Sequence, residues 1–273
     1  MTLNVSSLWN YSDPQTSEQR FRQALEGASP DDAFILRTQI ARTYGLRGDF
    51  GQARRVLSEL QGLVDSASPE AQVRYFLELG RTYASTAHQP KDATPESKEK
   101  ARSMYMTAFD RARDAGLDAL AIDALHMMAA VDTDPADQLA WDMKALALMQ
   151  SSTQPDAKGW EGALRNNAGY ANHLLGNHDE AIAQYRLSLA AHQRSNRPAN
   201  VRIAHWMIAR TLRAQGQYRD AIEIQLRLER EWTEAGTPDP DVYEELEELY
   251  RATGDVALAD RYAARLKASQ EGR

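Results

Sequence analysis

One short pattern recurs four times along the chain and limits what the chain can fold into. In each copy an Ala follows a Gly by five residues, at Gly48/Ala53, Gly176/Ala181, Gly216/Ala221 and Gly254/Ala259. Apolar residues three and four positions apart flank these pairs, which is the spacing of one helix face. A Gly between two such stretches indicates a helix end and a tight turn, because Gly adopts a positive φ at low cost. The pattern therefore predicts helical hairpins that bury an apolar face on each side.

Two weaker copies complete the series. One begins near Gly80 and resumes at Ala101, after an insertion at residues 87–97. In the other, Asp134–Pro135 replaces the Gly turn, and the packing positions are predicted at Ala124, Met127, Ala136, Ala140 and Met143. Composition agrees with helices, since 43 Ala and 28 Leu stand against 8 Val and 8 Ile, and sheets favour the β-branched residues. We expect an all-α fold.

The series resembles the tetratricopeptide repeat family, in which small residues, aromatic residues, Gly and Ala recur in a fixed order. The copy that carries the resemblance best is Ala41, Tyr44, Gly48, Phe50, Ala53, Leu57 and Leu60. The resemblance covers residues 17–268 and implies an α-solenoid of about six stacked antiparallel helix pairs. Its repeat units are longer than the usual 34 residues or so. It implies a single domain over residues 1–273, with residues 1–16 as an N-terminal cap.

Several classes of protein are excluded or disfavoured. The chain has no Cys, which excludes disulfides, thiolate metal sites and a Cys nucleophile. It has neither a signal peptide pattern nor an apolar stretch of about 18 residues, so we expect a cytoplasmic protein without membrane contact. No nucleotide-binding, zinc-protease or serine-hydrolase motif occurs, and His173 and His178, five residues apart, do not share a helix face. We predict a protein that is not an enzyme and uses no cofactor or metal.

An Arg recurs directly after the small packing residue, at Arg42, Arg81 and Arg210. In the family this position faces the concave surface, so the resemblance implies a row of guanidinium groups that grip carboxylates. In the remaining complete unit the position holds Tyr170, and nearby Asn side chains could bind a peptide backbone. The predicted partner-binding residues are Arg42, Arg81, Asn166, Asn167, Tyr170, His173, Arg210 and Arg213. The alternative is that these Arg residues only pair with neighbouring carboxylates.

Charge is segregated near the C-terminal end. Residues 181–219 contain seven Arg and no Asp or Glu, whereas residues 229–248 contain nine acids and one Arg, a net charge of −8. These blocks either neutralise each other within the chain, as helix-surface pairs do, or the basic block meets an acidic ligand. A third alternative is a homo-oligomer that joins complementary charged ends.

The leading functional hypothesis is a protein–protein interaction scaffold that binds a peptide or an extended partner segment in a concave groove lined by Arg and Asn. The partner is expected to offer acidic or C-terminal carboxylate groups. The alternative is a peptide-sensing regulatory protein that acts on a separate transcription factor or kinase, as some bacterial members of the family do. Nucleic-acid binding is a distant third, because a net charge of −7 and a pI near 5.5 oppose it.

Overall fold

The structure is a computed structural model that describes residues 3–92 and 94–271. Its described residues form α-helices and two short 3-10 helices, and they contain no β-strand. They group into two compact units, one ending at Trp160 and the other beginning at Glu161. The all-α prediction is confirmed, whereas the single domain over residues 1–273 stays a prediction.

The first unit contains nine α-helices among its described residues. The 3-10 helices Gln61–Ser66 and Pro90–Asp92 lie between them. The α-helices are α1 (Val5–Leu8), α2 (Pro14–Ala24), α3 (Pro30–Leu46), α4 (Phe50–Leu60), α5 (Pro69–Arg81), α6 (Pro95–Asp114), α7 (Asp118–Val131), α8 (Pro135–Ser151) and α9 (Pro155–Lys158).

The second unit contains six α-helices among its described residues. They are α10 (Glu161–Leu174), α11 (His178–Arg194), α12 (Pro198–Ala214), α13 (Tyr218–Glu234), α14 (Pro240–Thr253) and α15 (Val256–Glu271). Consecutive helices pack against each other within the unit. The predicted turn glycines Gly176, Gly216 and Gly254 have φ values of 78°, 75° and 80°, and Gly48 in the first unit has 77°. The predicted helix ends are therefore found at these four positions.

Several helices begin with a capping residue followed by Pro. Ser29, Ser68 and Thr94 each accept a hydrogen bond from a backbone N–H of the first turn, and Pro occupies the first helical position. Such caps satisfy amides that have no partner inside the helix, and Pro lacks an N–H to satisfy. These dipeptides determine where α3, α5 and α6 begin.

The first helix of a pair also contacts the first helix of the next pair. We call these first helices the inner helices. In the first unit α3 contacts α5, and α5 contacts α7; in the second unit α10 contacts α12, and α12 contacts α14. This arrangement places equivalent repeat positions of successive inner helices next to one another.

Two glycines on inner helices allow the partner helix to approach closely. A Cβ at Gly80 would lie 2.5 Å from the ring of Tyr105, and a Cβ at Gly169 would lie 2.6 Å from the ring of Tyr185. Both rings are fully buried. Each pair therefore packs a ring of the second helix directly onto the backbone of the first.

The predicted frame is wrong in the degenerate repeat. Ala136, Ala140 and Met143 were expected to pack, but all three are exposed. The buried face of α8 instead contains Ala145, Leu146 and Met149. The cause is the helix start: Asp134 caps α8 and Pro135 is its first residue, so the helix phase is set by the cap and not by a Gly turn.

The predicted insertion at residues 87–97 contains the 3-10 helix Pro90–Asp92 and the first residues of α6. Its Ala93 lies outside the described residues, as do Met1 and Thr2 of the predicted N-terminal cap. The described part of that cap packs onto the first unit, because the ring centroids of Trp9 and Phe21 lie 5.0 Å apart.

Candidate functional site

In the first unit, the two predicted arginines share one carboxylate. Arg81 Nη1 lies 2.6 Å from Glu78 Oε1, and Arg81 Nη2 lies 2.5 Å from Asp123 Oδ1 on α7. Arg42 approaches the same Glu78 oxygen less closely, at 3.6 Å. The side chain of Glu78 is 3% exposed, that of Arg81 11% and that of Arg42 23%. Arg81 is therefore held by the protein, whereas Arg42 is held loosely.

Electrostatics keeps Arg81 and Asp123 ionised. Burial alone would raise the pKa of Asp123, but the charges of Arg81 and Arg42 outweigh burial, and the pKa lies below its usual value. Burial would likewise lower the pKa of Arg81, and the charges of Asp123 and Glu78 raise it instead. Burial lowers the pKa of the neighbouring His126, which Asp123 offsets only in part. Arg81 and Asp123 thus remain charged, and the imidazole of His126 favours its neutral form.

The N-terminal segment covers part of Arg42. The rings of Trp9 and Tyr11 stack with centroids 4.7 Å apart, and the Arg42 guanidinium lies 5.5 Å and 5.7 Å from them. Trp9 also donates a hydrogen bond from Nε1 to Oε1 of the buried Gln39, at 3.1 Å. These contacts draw the Arg42 side chain towards aromatic faces, a favourable cation–π arrangement.

The second unit also has two Arg side chains near one buried carboxylate. Arg213 forms a two-pronged contact with Glu245 of α14, both nitrogen–oxygen distances being 2.9 Å. Arg210 Nε lies 3.8 Å from the same carboxylate, whose side chain is 6% exposed. Arg210 retains 33% exposure of its side chain. Arg213 is thus committed to Glu245, and Arg210 keeps donors available.

All three recurring arginines therefore meet a buried carboxylate on the next inner helix. Arg42 meets Glu78, Arg81 meets Asp123, and Arg210 meets Glu245. Glu78 and Glu245 occupy equivalent repeat positions, three residues before the positions of Arg81 and Glu248. The prediction missed these acids, although their shared position in the repeat is a signal that the sequence contains.

The remaining predicted residues lie together on α10. His173 Nδ1 lies 3.0 Å from the Thr211 hydroxyl, which itself donates to the Met207 carbonyl, so the imidazole N–H donates to Thr211. Burial, followed by the charges of Arg210 and His178, lowers the pKa of His173. Asn166 and Asn167 are half-buried, and Oδ1 of Asn166 has no hydrogen-bond partner among the described residues.

The ring of Tyr170 on α10 faces the Arg210 guanidinium on α12. The Arg210 guanidinium lies 6.0 Å from the Tyr170 ring and 5.5 Å from the Trp206 ring. Tyr170 is 37% exposed. These residues and the neighbouring side chains of α10 form one surface, which we call the α10–α12 patch. Its members are Asn166, Asn167, Tyr170, His173, Trp206 and Arg210. Arg42 and Arg81 lie in the first unit and do not belong to it.

The two charge blocks neutralise each other only in part. Arg210 and Arg213 of the basic block pair with Glu245, and Arg213 also lies 3.8 Å from Glu248. Arg194 of the same block pairs instead with Glu161, at 2.5 Å. In the acidic block, Glu229 pairs with Arg265 of α15. Pairing within the chain therefore accounts for some members of each block.

None of the described helices has both the length and the apolar character that a membrane span requires. Within the described residues, no three His, Asp or Glu side chains come together as they would around a metal ion.

One segment of the chain matches a known repeat family. Residues 160–230 match the model of the family described as tetratricopeptide repeat. No curated protein matches the sequence.

Solved structures share the fold at low sequence identity. A signal transduction ATPase with numerous domains from Pyrococcus horikoshii, with a tetratricopeptide repeat sensor, is 10% identical with a TM-score of 0.70 over 95% of this chain. This chain spans only 39% of that protein. NprR in complex with its cognate peptide NprX is 12% identical, with a TM-score of 0.58 over 95% of this chain and 74% of NprR. Apo RapI is 9% identical, with a TM-score of 0.59 over 98% of this chain and 97% of RapI.

The sequence pattern, the paired helices and the family match agree with one another. The chain has an all-α helical-repeat fold, and its residues 160–230 match the tetratricopeptide repeat model.

Proposed function

We propose that the chain is a protein-interaction module without catalytic activity, and that it binds an extended peptide segment of another protein on the α10–α12 patch. The observation that carries the proposal is the pair formed by Tyr170 and Arg210, which lie 6.0 Å apart and remain 37% and 33% exposed. Tyr, Trp and Arg are the residue types most enriched at protein interfaces.

The polar residues of the patch suit an extended backbone. Asn166 and Asn167 are amides that can both donate to a peptide carbonyl and accept from a peptide N–H. Arg210 is the guanidinium with donors to spare, because Arg213 takes the buried Glu245 at 2.9 Å while Arg210 stays at 3.8 Å. We expect a ligand carboxylate, from an acidic side chain or a C-terminus, to bind at Arg210.

The fold supports the proposal by analogy. NprR, which shares the fold, was solved in complex with a peptide. A peptide-sensing regulatory role is the second form of the proposal, and it differs by requiring that the bound peptide change the affinity for a further protein. Arg42 and Arg81 are not assigned to this site.

The test is a peptide array. Peptides of random sequence, half with a free C-terminal carboxylate and half amidated, are screened against the full chain, and the best binders are titrated by fluorescence anisotropy. Tyr170→Ala and Arg210→Ala are expected to weaken binding about tenfold or more. Amidation of the peptide's C-terminal carboxylate is expected to weaken its binding to wild type but not to the Arg210→Ala variant.

The matched control is Arg186→Ala, because Arg186 is exposed on α11, which is not an inner helix. Its binding is expected to equal that of wild type. Equal affinity of Tyr170→Ala, Arg210→Ala and wild type for every binder, or an array without binders, would remove the α10–α12 patch as the site.

A further inference from the structure

A cavity of about 190 Å³ opens between the inner helices of the first unit. Its charged lining residues, which we call the polar wall, are Arg42, Glu78, Arg81 and Asp123, and its apolar lining includes Met127 and Trp160. A cavity of about 150 Å³ already accommodates a benzene ring, whereas drug-sized ligands occupy about 300 Å³ or more. The cavity therefore has the size of a single small metabolite with one ring or one branched apolar group.

The residues of the polar wall contain one buried acceptor and one buried donor that no protein group satisfies. Glu78 Oε2 and Arg42 Nε are both without a hydrogen-bond partner among the described residues. Arg81, in contrast, is occupied on both sides by Glu78 and Asp123. Buried polar groups are normally satisfied, and each one left unsatisfied costs about 1–3 kcal/mol. A ligand gains this energy on binding when the Arg42 and Glu78 side chains turn these atoms towards it.

The charge balance selects the kind of ligand. Two guanidinium groups face two carboxylates, so the wall has no net charge. A ligand with a net charge would leave an uncompensated ion in a partly buried place, which is costly. A zwitterion brings both signs, and the 3.6 Å separation of Arg42 and Glu78 marks the loose pair that it can bridge.

The apolar lining of the cavity suits an apolar side chain. Met127 is 7% exposed, and the Trp160 ring lies 5.4 Å from that of His126. Burial lowers the pKa of His126, so the imidazole next to Trp160 favours its neutral form near neutral pH. This part of the lining thus presents a thioether and two neutral rings.

We propose that this cavity binds a free α-amino acid with an apolar or aromatic side chain, whose ammonium pairs with Glu78, whose carboxylate pairs with Arg42, and whose side chain packs on Met127 and Trp160. The site lies in the first unit and is independent of the proposed peptide site on α10 and α12.

The test is isothermal titration calorimetry of the full chain with the free amino acids, one at a time. At least one amino acid with an apolar or aromatic side chain is expected to bind. Its N-acetylated, C-amidated form is expected to bind about tenfold more weakly or worse, because it has lost both charges. Arg42→Gln is expected to weaken binding of the free amino acid to a similar extent.

Gly45→Leu provides a variant that does not depend on the charged cluster. Gly45 lines the cavity on α3, and a Cβ there meets no atom within 4 Å. Leu is a better helix former than Gly, so the variant is expected to fold with an unchanged or higher Tm while its side chain fills the cavity and removes binding. Gly51→Leu, at an exposed position of α4 outside the cavity, is the control and is expected to bind as wild type does.

The proposal is overturned if no free amino acid binds, if Gly45→Leu binds as tightly as wild type, or if the blocked form binds as tightly as the free amino acid. The peptide proposal is tested with variants of Tyr170 and Arg210, so each proposal can fail while the other stands.

Discussion

Gln225 of α13 is a fully buried amide, and neither its oxygen nor its nitrogen has a hydrogen-bond partner among the described residues. At the equivalent repeat position α4 has Leu57 and α11 has Tyr185, both fully buried. A buried amide without partners costs about 1–3 kcal/mol, and an apolar side chain of similar size does not.

Gln225→Leu is therefore expected to raise the free energy of unfolding by about 1 kcal/mol, measured by urea denaturation. The matched control is Gln184→Leu in α11. Gln184 is also buried, but it accepts from Arg165 and donates to Glu180, so its replacement is expected to destabilise. The explanation fails if the two variants change stability in the same direction.

The recurring arginines show how much of the candidate site could be predicted from the sequence for single residues. The pattern places Arg42, Arg81 and Arg210 on inner helices, and the structure has them there. The prediction did not pair them with their carboxylate partners. Glu78 and Glu245 follow Arg42 and Arg210 at nearly equal separations, 36 and 35 residues, whereas Asp123 follows Arg81 at 42. The longer interval, which includes the insertion at residues 87–97, hides the third pair in the sequence.

At the scale of helices, contact between a glycine and a ring sets how closely two helices pack. Gly169→Ala places a methyl group 2.6 Å from the fully buried ring of Tyr185, which α10 and α11 can accommodate only by moving apart. We expect a loss of about 1–3 kcal/mol, typical of overpacking. Urea denaturation measures it.

Gly45→Ala on α3 is the control for helix propensity, because its Cβ meets no neighbour within 4 Å. It is expected to gain up to about 1 kcal/mol. Equal effects at the two glycines would show that helix propensity, and not the ring, decides.

The N-terminal segment is the second element whose contribution can be measured. Trp9→Ala removes the contact with Phe21 and leaves Oε1 of the buried Gln39 without its donor. The expected loss is about 2–3 kcal/mol, less than for a core Trp because Trp9 is only half-buried. Thermal unfolding followed by circular dichroism measures this loss.

Tyr11 stacks on Trp9 but is 61% exposed. Tyr11→Ala is therefore expected to cost less than about 1 kcal/mol. A cost as large as that of Trp9→Ala would mean that stacking of the two rings, and not burial of Trp9, holds the segment.

Helix positions were predictable wherever a Gly turn marks the end of the first helix, as at Gly48 and Gly216. The predicted core-facing residues were wrong at α8. There the Asp134–Pro135 cap sets where the helix begins and therefore which of its residues face the core. A repeat frame projected from Gly turns fails at a capped helix, since the cap fixes the first residue of the helix independently of the preceding one.

At the scale of the whole molecule, histidines link stability to pH. Burial lowers the pKa of His126, His173, His192 and His205 below 6.5. In the unfolded chain these groups take up protons near pH 6.5, while the folded chain resists protonation until a lower pH. Their contribution to stability is thus fully present above pH 6.5 and declines as the pH falls below it.

We expect Tm to fall between about pH 7 and pH 5, a window set by the ordinary pKa of His. A double variant, His173→Gln with His205→Gln, is expected to show a shallower decline, because it has lost two of the four groups. A decline as steep as that of wild type would assign the pH dependence to other residues.

The contacts of Gly80 with Tyr105 and of Gly169 with Tyr185 couple the two positions of each pair in evolution. A side chain at the glycine overpacks while the ring opposite keeps its size, and loss of the fully buried ring leaves a cavity opposite the glycine. Either single step is therefore costly, and directed libraries that vary the two positions together will reach combinations that single-site libraries miss.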